Sequence, residues 1–197
     1  MEILGNDFYL QGHVVDVAKR LLGTLLYTSI EGKICSGKIV EVEAYSGRND
    51  KACHANNGKR TNRTEVMYAA GGVAYVYLCY GIHNMFNIVT NEEHTADAVL
   101  VRAVEPLEGI KWMLERKSSK TVTKIASGPG NVCKAFGIER WHNGLRLDGD
   151  TIWIAKGKEI AKENIVATTR IGVEYAKEDA LLPWRFYVKD NWSVSKK

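Results

Sequence analysis

The sequence predicts an α+β protein, and three observations predict it. Residues 38–47 alternate apolar and other side chains with the period of a strand, residues 73–90 read as a β-hairpin, and short helical segments such as 13–22 fall between β-rich runs. A chain of 197 residues is long enough for one domain with a core that needs no covalent staples. No internal repeat or linker between domains divides it, so one compact domain over 1–197 is the expectation. Apolar content of 45% and charged content of 25% are ordinary for a globular protein in water. No apolar run reaches the length of a membrane span. The start, Met1 to Asp7, has neither the basic residues nor the apolar block of a signal peptide, which makes cytoplasmic residence the expectation.

In chain order, His13 to Leu22 suits a short amphipathic helix with Gly23 at its C′ position. Thr24 to Ile30 reads as a strand, Glu31-Gly32 as a turn, and Lys33 onward as the strand that continues into Glu41 and Glu43. That strand puts Ile39, Glu41, Glu43 and Tyr45 on one face and Val40, Val42 and Ala44 on the other. Two carboxylates on a strand face admit two readings. They are solvated on a half-exposed edge strand, or they are buried and something uses them, because isolated buried charge is strongly disfavoured.

Residues 46–64 form a long polar loop carrying Arg48, Lys51, Lys59, Arg60 and Arg63. It is either a flexible surface loop or a basic lip beside the strand. In the hairpin the break falls near Tyr80-Gly81, which places Tyr80 at the tip and sets Tyr77 roughly opposite Asn87. A large aromatic at a tip is either a contact residue or folds back over its own strands. Ala98 to Val104 reads as a buried strand interrupted by Arg102, which needs an acidic partner or a ligand; Glu41 and Glu43 are the candidate partners. Glu105-Pro106 is expected to open a helix to about Lys117, with a Lys/Ser/Thr linker following over 117–124. Ser127 is expected to cap a helix that runs from Gly128-Pro129-Gly130 to Gly137, whose free amides are a weak phosphate candidate. The last third carries short strands at 145–154, 165–173 and 185–188 that complete the same sheet. Trp153, Trp184 and Phe186 read as core.

Cys35, Cys53, Cys79 and Cys133 have no CxxC spacing and the five histidines no HxxxH pattern. Reduced structural thiols and no metal are expected. A net charge of +4 permits a polyanionic partner without requiring one.

Several segments together resemble the alkyladenine (3-methyladenine) DNA glycosylase family of the type without a helix-hairpin-helix. They are Val40-Glu41-Val42-Glu43-Ala44-Tyr45, Ala52-Cys53-His54, Tyr75 to Gly81, Asn87, Leu100 to Gly109, Ser127-Gly128-Pro129 and Pro183 to Phe186, in order over nearly the whole chain. The resemblance implies a curved antiparallel sheet with a protruding hairpin and flanking short helices. It implies a monofunctional, monomeric enzyme of base excision repair that acts on duplex DNA containing damaged purines, with no cofactor and no metal. In that family's terms Glu43 activates water, with Arg102 beside it. Tyr45, His54 and Tyr77 wall the pocket for a flipped base, Asn87 disfavours guanine and Tyr80 fills the gap in the duplex. The chain departs from the family at Asn131, where relatives often carry Lys, and at the variable hairpin positions His83 and Asn84.

The residue types suit that chemistry. Extruding a nucleotide costs a few kcal/mol, and stacking on aromatic rings returns roughly 1–3 kcal/mol per base. A carboxylate stabilises the positive charge that grows on the sugar and takes a proton from water. Nothing in the motifs puts a lysine on the strand face, which favours hydrolysis over a Schiff-base lyase. Three alternatives stay open: a glycoside hydrolase using Glu41 and Glu43 as a carboxylate pair, a catalytically silent protein that binds DNA damage, and a sheet that binds RNA by stacking.

Overall fold

The computed structural model describes residues 1–197. Four short α-helices, α1 (Asn6–Leu10), α2 (Val14–Leu21), α3 (Ile110–Lys117) and α4 (Pro129–Phe136), accompany eight strands. The strands are β1 (Leu25–Ile30), β2 (Lys33–Tyr45), β3 (Ala74–Cys79), β4 (His83–Thr90), β5 (Asp97–Glu108), β6 (Ile152–Ala155), β7 (Ile165–Thr168) and β8 (Arg185–Val188). They form one open antiparallel sheet in the order β3-β4-β5-β2-β1-β6, with β8 joining β2 and β7 joining β8. The α+β expectation and the expectation that the last third completes the sheet both hold. No helix is long and apolar enough to cross a membrane.

The strand β2 is interior, which removes the edge-strand reading of its acids. One side pairs along β5; the other pairs first with β1 at Lys33–Lys38 and then with β8 at Glu41–Glu43. The β1–β2 turn works because Glu31 and Gly32 both take positive φ, 55° and 69°, the geometry that matches strand twist in a two-residue hairpin.

Helices cover one face of the sheet. Val42, Ala44, Val99, Val101, Phe86 and Ile88 point into that core with Leu21, Met113 and Phe136. On the opposite face Tyr75, Val89 and Ala98 pack with Cys53 and Met67 in a smaller cluster, and Tyr45 and Tyr77 lie against it. The main core includes Phe186, while Trp153 stacks on Tyr27.

The expected face of β2 is wrong at one point. Ile39 faces the helical core with Val42 and Ala44, so it does not share a face with Glu43. Register shifts between Ile39 and Val42 set an extra residue, Val40, on β2 and another, Arg102, on β5. Such bulges break the two-residue period and re-aim a side chain. Here they turn Arg102 toward both glutamates.

Other boundaries also move. The segment at Glu105-Pro106 is strand, with Pro106 opposite Gly37, and the helix begins only at Ile110. Gly109 makes the corner at φ 71°, where a Cβ would sit 2.2 Å from the Ile34 carbonyl oxygen. Gly128, not Ser127, holds the N-cap position of α4, with Pro129 at its first turn. The strand expected over 145–154 is confined to Ile152–Ala155, and the one over 165–173 stops at Thr168. In the hairpin, Asn87 lies opposite Tyr75, and Tyr77 opposite Met85, a two-residue correction to the expected pairing. It follows from a three-residue loop, Tyr80 to Ile82, closed by the Cys79–His83 pair.

Candidate active site

One line of paired residues runs across the sheet: Tyr75 opposite Asn87, Asn87 opposite Leu100, Leu100 opposite Glu43, and Glu43 opposite Arg185. Above it opens a cleft of about 420 Å³. Glu43, Tyr45, His54, Tyr77, Tyr80, Asn87 and Arg102 all line this one cleft. A larger groove of about 910 Å³ runs along the N-terminal segment and residues 156–162, but it contains none of these side chains.

Glu43 is fully buried and both of its oxygens are held. Oε2 accepts from the Tyr45 hydroxyl at 2.7 Å and from Arg102 Nη1 at 3.3 Å; Oε1 accepts from the backbone N–H of Ile171 at 2.8 Å. Burial, with Glu43 beside it, pushes the Tyr45 hydroxyl well above the ordinary phenol range, so it stays a donor to the carboxylate. Glu41 does not line the cleft. Its oxygens accept from Arg102 Nε at 3.3 Å, Arg185 Nη1 at 2.9 Å and the Ser195 backbone N–H at 2.7 Å. A glycoside hydrolase with both acids in its site is therefore not supported.

The aromatic wall is a connected group. The rings of His54 and Tyr77 meet edge to face with centroids 4.7 Å apart, and Tyr75 and Tyr77 lie 5.3 Å apart. Burial, followed by the charges of Arg63 and Lys59, lowers the His54 pKa to about 4, so the ring is neutral at pH 7. Arg63 Nη2 lies 3.2 Å from His54 Nε2 and can only donate, so Nε2 accepts. The proton then sits on Nδ1, which donates to the Tyr75 hydroxyl at 3.0 Å. Asn87 donates through Nδ2 to the Tyr75 carbonyl at 3.1 Å, which fixes its amide across the hairpin. Tyr80, with φ 51° at the tip, is 87% exposed. The reading in which it folds back over its strands is excluded. Leu78 and Ile82 are also exposed beside it.

The loop 46–64 is tied down rather than loose. Asp50 forms a fully buried ion pair with Arg170 at 2.6 Å, and Asp97 accepts from Ser46, Gly47 and Arg48. Its expected row of free cations is mostly neutralised: Arg48 pairs with Asp97, Lys51 with Glu178 and Arg60 with Glu65. Arg63 instead lies over Tyr77, 4.8 Å from the ring centroid.

Arg170 is the residue sequence reasoning missed. Its guanidinium lies between Tyr45 and Trp184, 4.8 and 5.3 Å from their centroids, and donates to Asp50 and to the Ala44 carbonyl. By anchoring the segment after β7 it sets the Ile171 N–H on Glu43. A lone arginine after two threonines carries no linear signal of this. At α4, Asn131 donates to the Ser127 carbonyl and accepts from Lys117. Asn84 is bonded to Glu139 at 2.6 Å, and the His83 ring lies over Gly130. All four cysteines are free thiols; burial pushes Cys53, which lines the cleft, up to about 12.

A buried carboxylate beneath an aromatic cleft, on a sheet with an aromatic-tipped hairpin, is an arrangement suited to a base-binding hydrolase. The family described as methylpurine-DNA glycosylase matches residues 7–192. A protein of Clostridium perfringens (strain 13, type A) is 44% identical over 98% of this chain and 99% of its own length. One from Bacillus cereus (strain G9842) is 45% identical over 97% and 98%, and one from Desulfitobacterium hafniense (strain Y51) is 42% identical over the full length of both. Each of the three carries the provisional name 3-methyladenine DNA glycosylase. The chain belongs to the methylpurine-DNA glycosylase family, and the resemblance expected from its motifs holds over nearly all of its length.

Proposed function

We propose that this protein is a DNA glycosylase that receives an alkylated or deaminated purine, of the 3-methyladenine, hypoxanthine or ethenoadenine kind, swung out of duplex DNA. It hydrolyses the N-glycosidic bond with water and leaves an abasic site. The observation that carries the reading is the placement of Glu43 at the floor of the aromatic cleft, with the exposed Tyr80 at its rim.

In this mechanism the base stacks against Tyr45, His54 and Tyr77, which offsets much of the cost of extrusion. Tyr80 enters the minor groove and occupies the vacated stack. As the bond between sugar and base breaks, its electron pair leaves with the base and positive charge grows on the sugar. The Glu43 carboxylate stabilises that charge, and takes a proton from the water whose oxygen bonds to the sugar carbon. Arg102 and the Ile171 N–H hold the carboxylate in place, and Tyr45 keeps one oxygen oriented. Asn87, its amide fixed across the hairpin, crowds the 2-amino group of guanine. No lysine lines the cleft, which supports simple hydrolysis over a Schiff-base route.

The test is a panel of duplexes, each with one modified purine, scored for free base and for alkali-labile abasic sites. Release of free base with no strand cleavage before alkali is expected. Binding of the lesion duplexes without base release would favour a silent damage-binding protein, and strand nicking without alkali would overturn the monofunctional assignment.

A further inference from the structure

Arg63 is the one loop cation that lines the cleft, and it meets no carboxylate there; Lys59, which acts on His54 from farther out, is not part of the lining. The neighbouring Arg48, Lys51 and Arg60 each pair with an acid. Arg63 contacts only neutral groups: its guanidinium lies 4.8 Å from the Tyr77 ring centroid and 3.2 Å from His54 Nε2. Of the charged side chains lining the cleft, Glu43 and Arg102 belong with Glu41 and Arg185 to a set of two acids and two arginines that balance, and His54 is held neutral. Arg63 leaves one positive charge without a counterpart beside the face on which a base is to stack.

We propose that Arg63 sets the charge preference of the pocket, disfavouring purines that arrive as cations relative to neutral ones. The proposal rests on the glycosylase reading and extends it to substrate class. Aromatic rings alone attract a cationic base, which favours purines methylated on a ring nitrogen. Here one face of Tyr77 already holds a cation, and a second cation brought into the same partly desolvated cleft is repelled. A neutral purine meets no such repulsion, and an acceptor atom on its edge can take a guanidinium N–H. The same side chain that lets His54 donate through Nδ1 therefore also tilts the pocket toward uncharged lesions.

The test compares kcat/KM for 7-methylguanine, a cation in DNA, with that for hypoxanthine, which is neutral, in wild type, Arg63→Gln, Arg63→Met and Arg63→Lys. Both neutral variants are expected to raise the ratio of cationic to neutral substrate by about tenfold, while Arg63→Lys keeps it within about twofold of wild type. Guanine-specific crowding by Asn87 is common to all four proteins and cancels in the comparison. If Arg63→Gln and Arg63→Met lower both substrates by the same factor, Arg63 is a phosphate contact or a packing residue and the proposal falls. Release of neither base by the wild-type protein would overturn the glycosylase reading itself, a distinct outcome read in the same assay.

Discussion

Glu41 and Glu43 sit two residues apart on the same strand, and both are fully buried. Their surroundings differ. Glu41 faces two arginines, Arg102 and Arg185, and its second oxygen is capped by the Ser195 N–H. Nothing from solvent reaches it, so its charge is committed to holding β2, β5, β8 and the C-terminal segment together. Glu43 shares Arg102 but takes its other donors from a tyrosine and one backbone N–H, and it borders the cleft. Two copies of one side chain thus serve as a structural anion and as a candidate catalytic one. Burial cannot tell them apart. What separates them is the number of cationic donors and whether a cavity lies alongside.

The sharpest way to break that contrast is to neutralise each acid in turn. Glu43→Gln is expected to lower base release by at least about a thousandfold, because both the general base and the electrostatic stabilisation are lost. Binding to lesion duplexes is retained, since the aromatic wall is intact. Single-turnover release at near wild-type rate would remove Glu43 from the chemistry. Glu41→Gln leaves Arg185 buried without its carboxylate and should cost about 3–5 kcal/mol of stability, read from urea unfolding. Below its unfolding midpoint that variant should keep most of its rate per folded molecule. If it loses activity as Glu43→Gln does, with stability unchanged, the division of labour between the two acids is wrong.

The sequence carried one half of this contrast and not the other. The two acids, the pocket rings and the arginine that needed an acidic partner are all visible as short motifs on strands with clear periodicity. Glu43, Tyr45 and Tyr77 lie on the strands their alternation marks out, and His54 comes from the loop beside them. The bulge that rotates Ile39 away and turns Arg102 inward was not visible, because an extra residue in a ladder depends on the partner strand and leaves no mark in either pattern alone. The hairpin register slipped for a related reason: the break at Tyr80-Gly81 fixes the tip, while the three-residue loop fixes the pairing. Arg170 and Asp50 lie 120 residues apart in segments of no regular period, so only the folded chain brings them together behind Tyr45.

A second way to sharpen the comparison is pH, because the cleft side holds a titratable ring and the sealed side does not. The His54 pKa is lowered from 6.5 to about 4 by burial first, then by Arg63 and Lys59. Above pH 6.5 the ring is neutral whether folded or unfolded, and contributes nothing to the pH dependence. Between about 6.5 and 4 the unfolded chain binds a proton that the folded one refuses, so stability falls as pH falls. Below about 4 both states are protonated and the loss levels off. The full difference is about 3 kcal/mol. It should disappear in His54→Gln, measured as the change between pH 7 and pH 4 in the stability gap separating the two proteins. An equal acid loss in both would mean that groups other than His54 set the acid limb.

The smallest expected effect tests how far the open side extends. Tyr80 makes no core contact to lose at 87% exposure, so Tyr80→Ala should leave unfolding within about 0.5 kcal/mol of wild type. Its affinity for a lesion duplex should nevertheless drop by about 1–3 kcal/mol, the worth of one aromatic stacked among bases. The same variant should flip a fluorescent base analogue less completely, because nothing then fills the gap. Stability and binding therefore separate at the hairpin tip, whereas at Glu41 the expected loss is in stability. An unchanged affinity together with unchanged flipping would assign the gap-filling to another exposed side chain, with Ile82 two residues along the same loop the first to substitute.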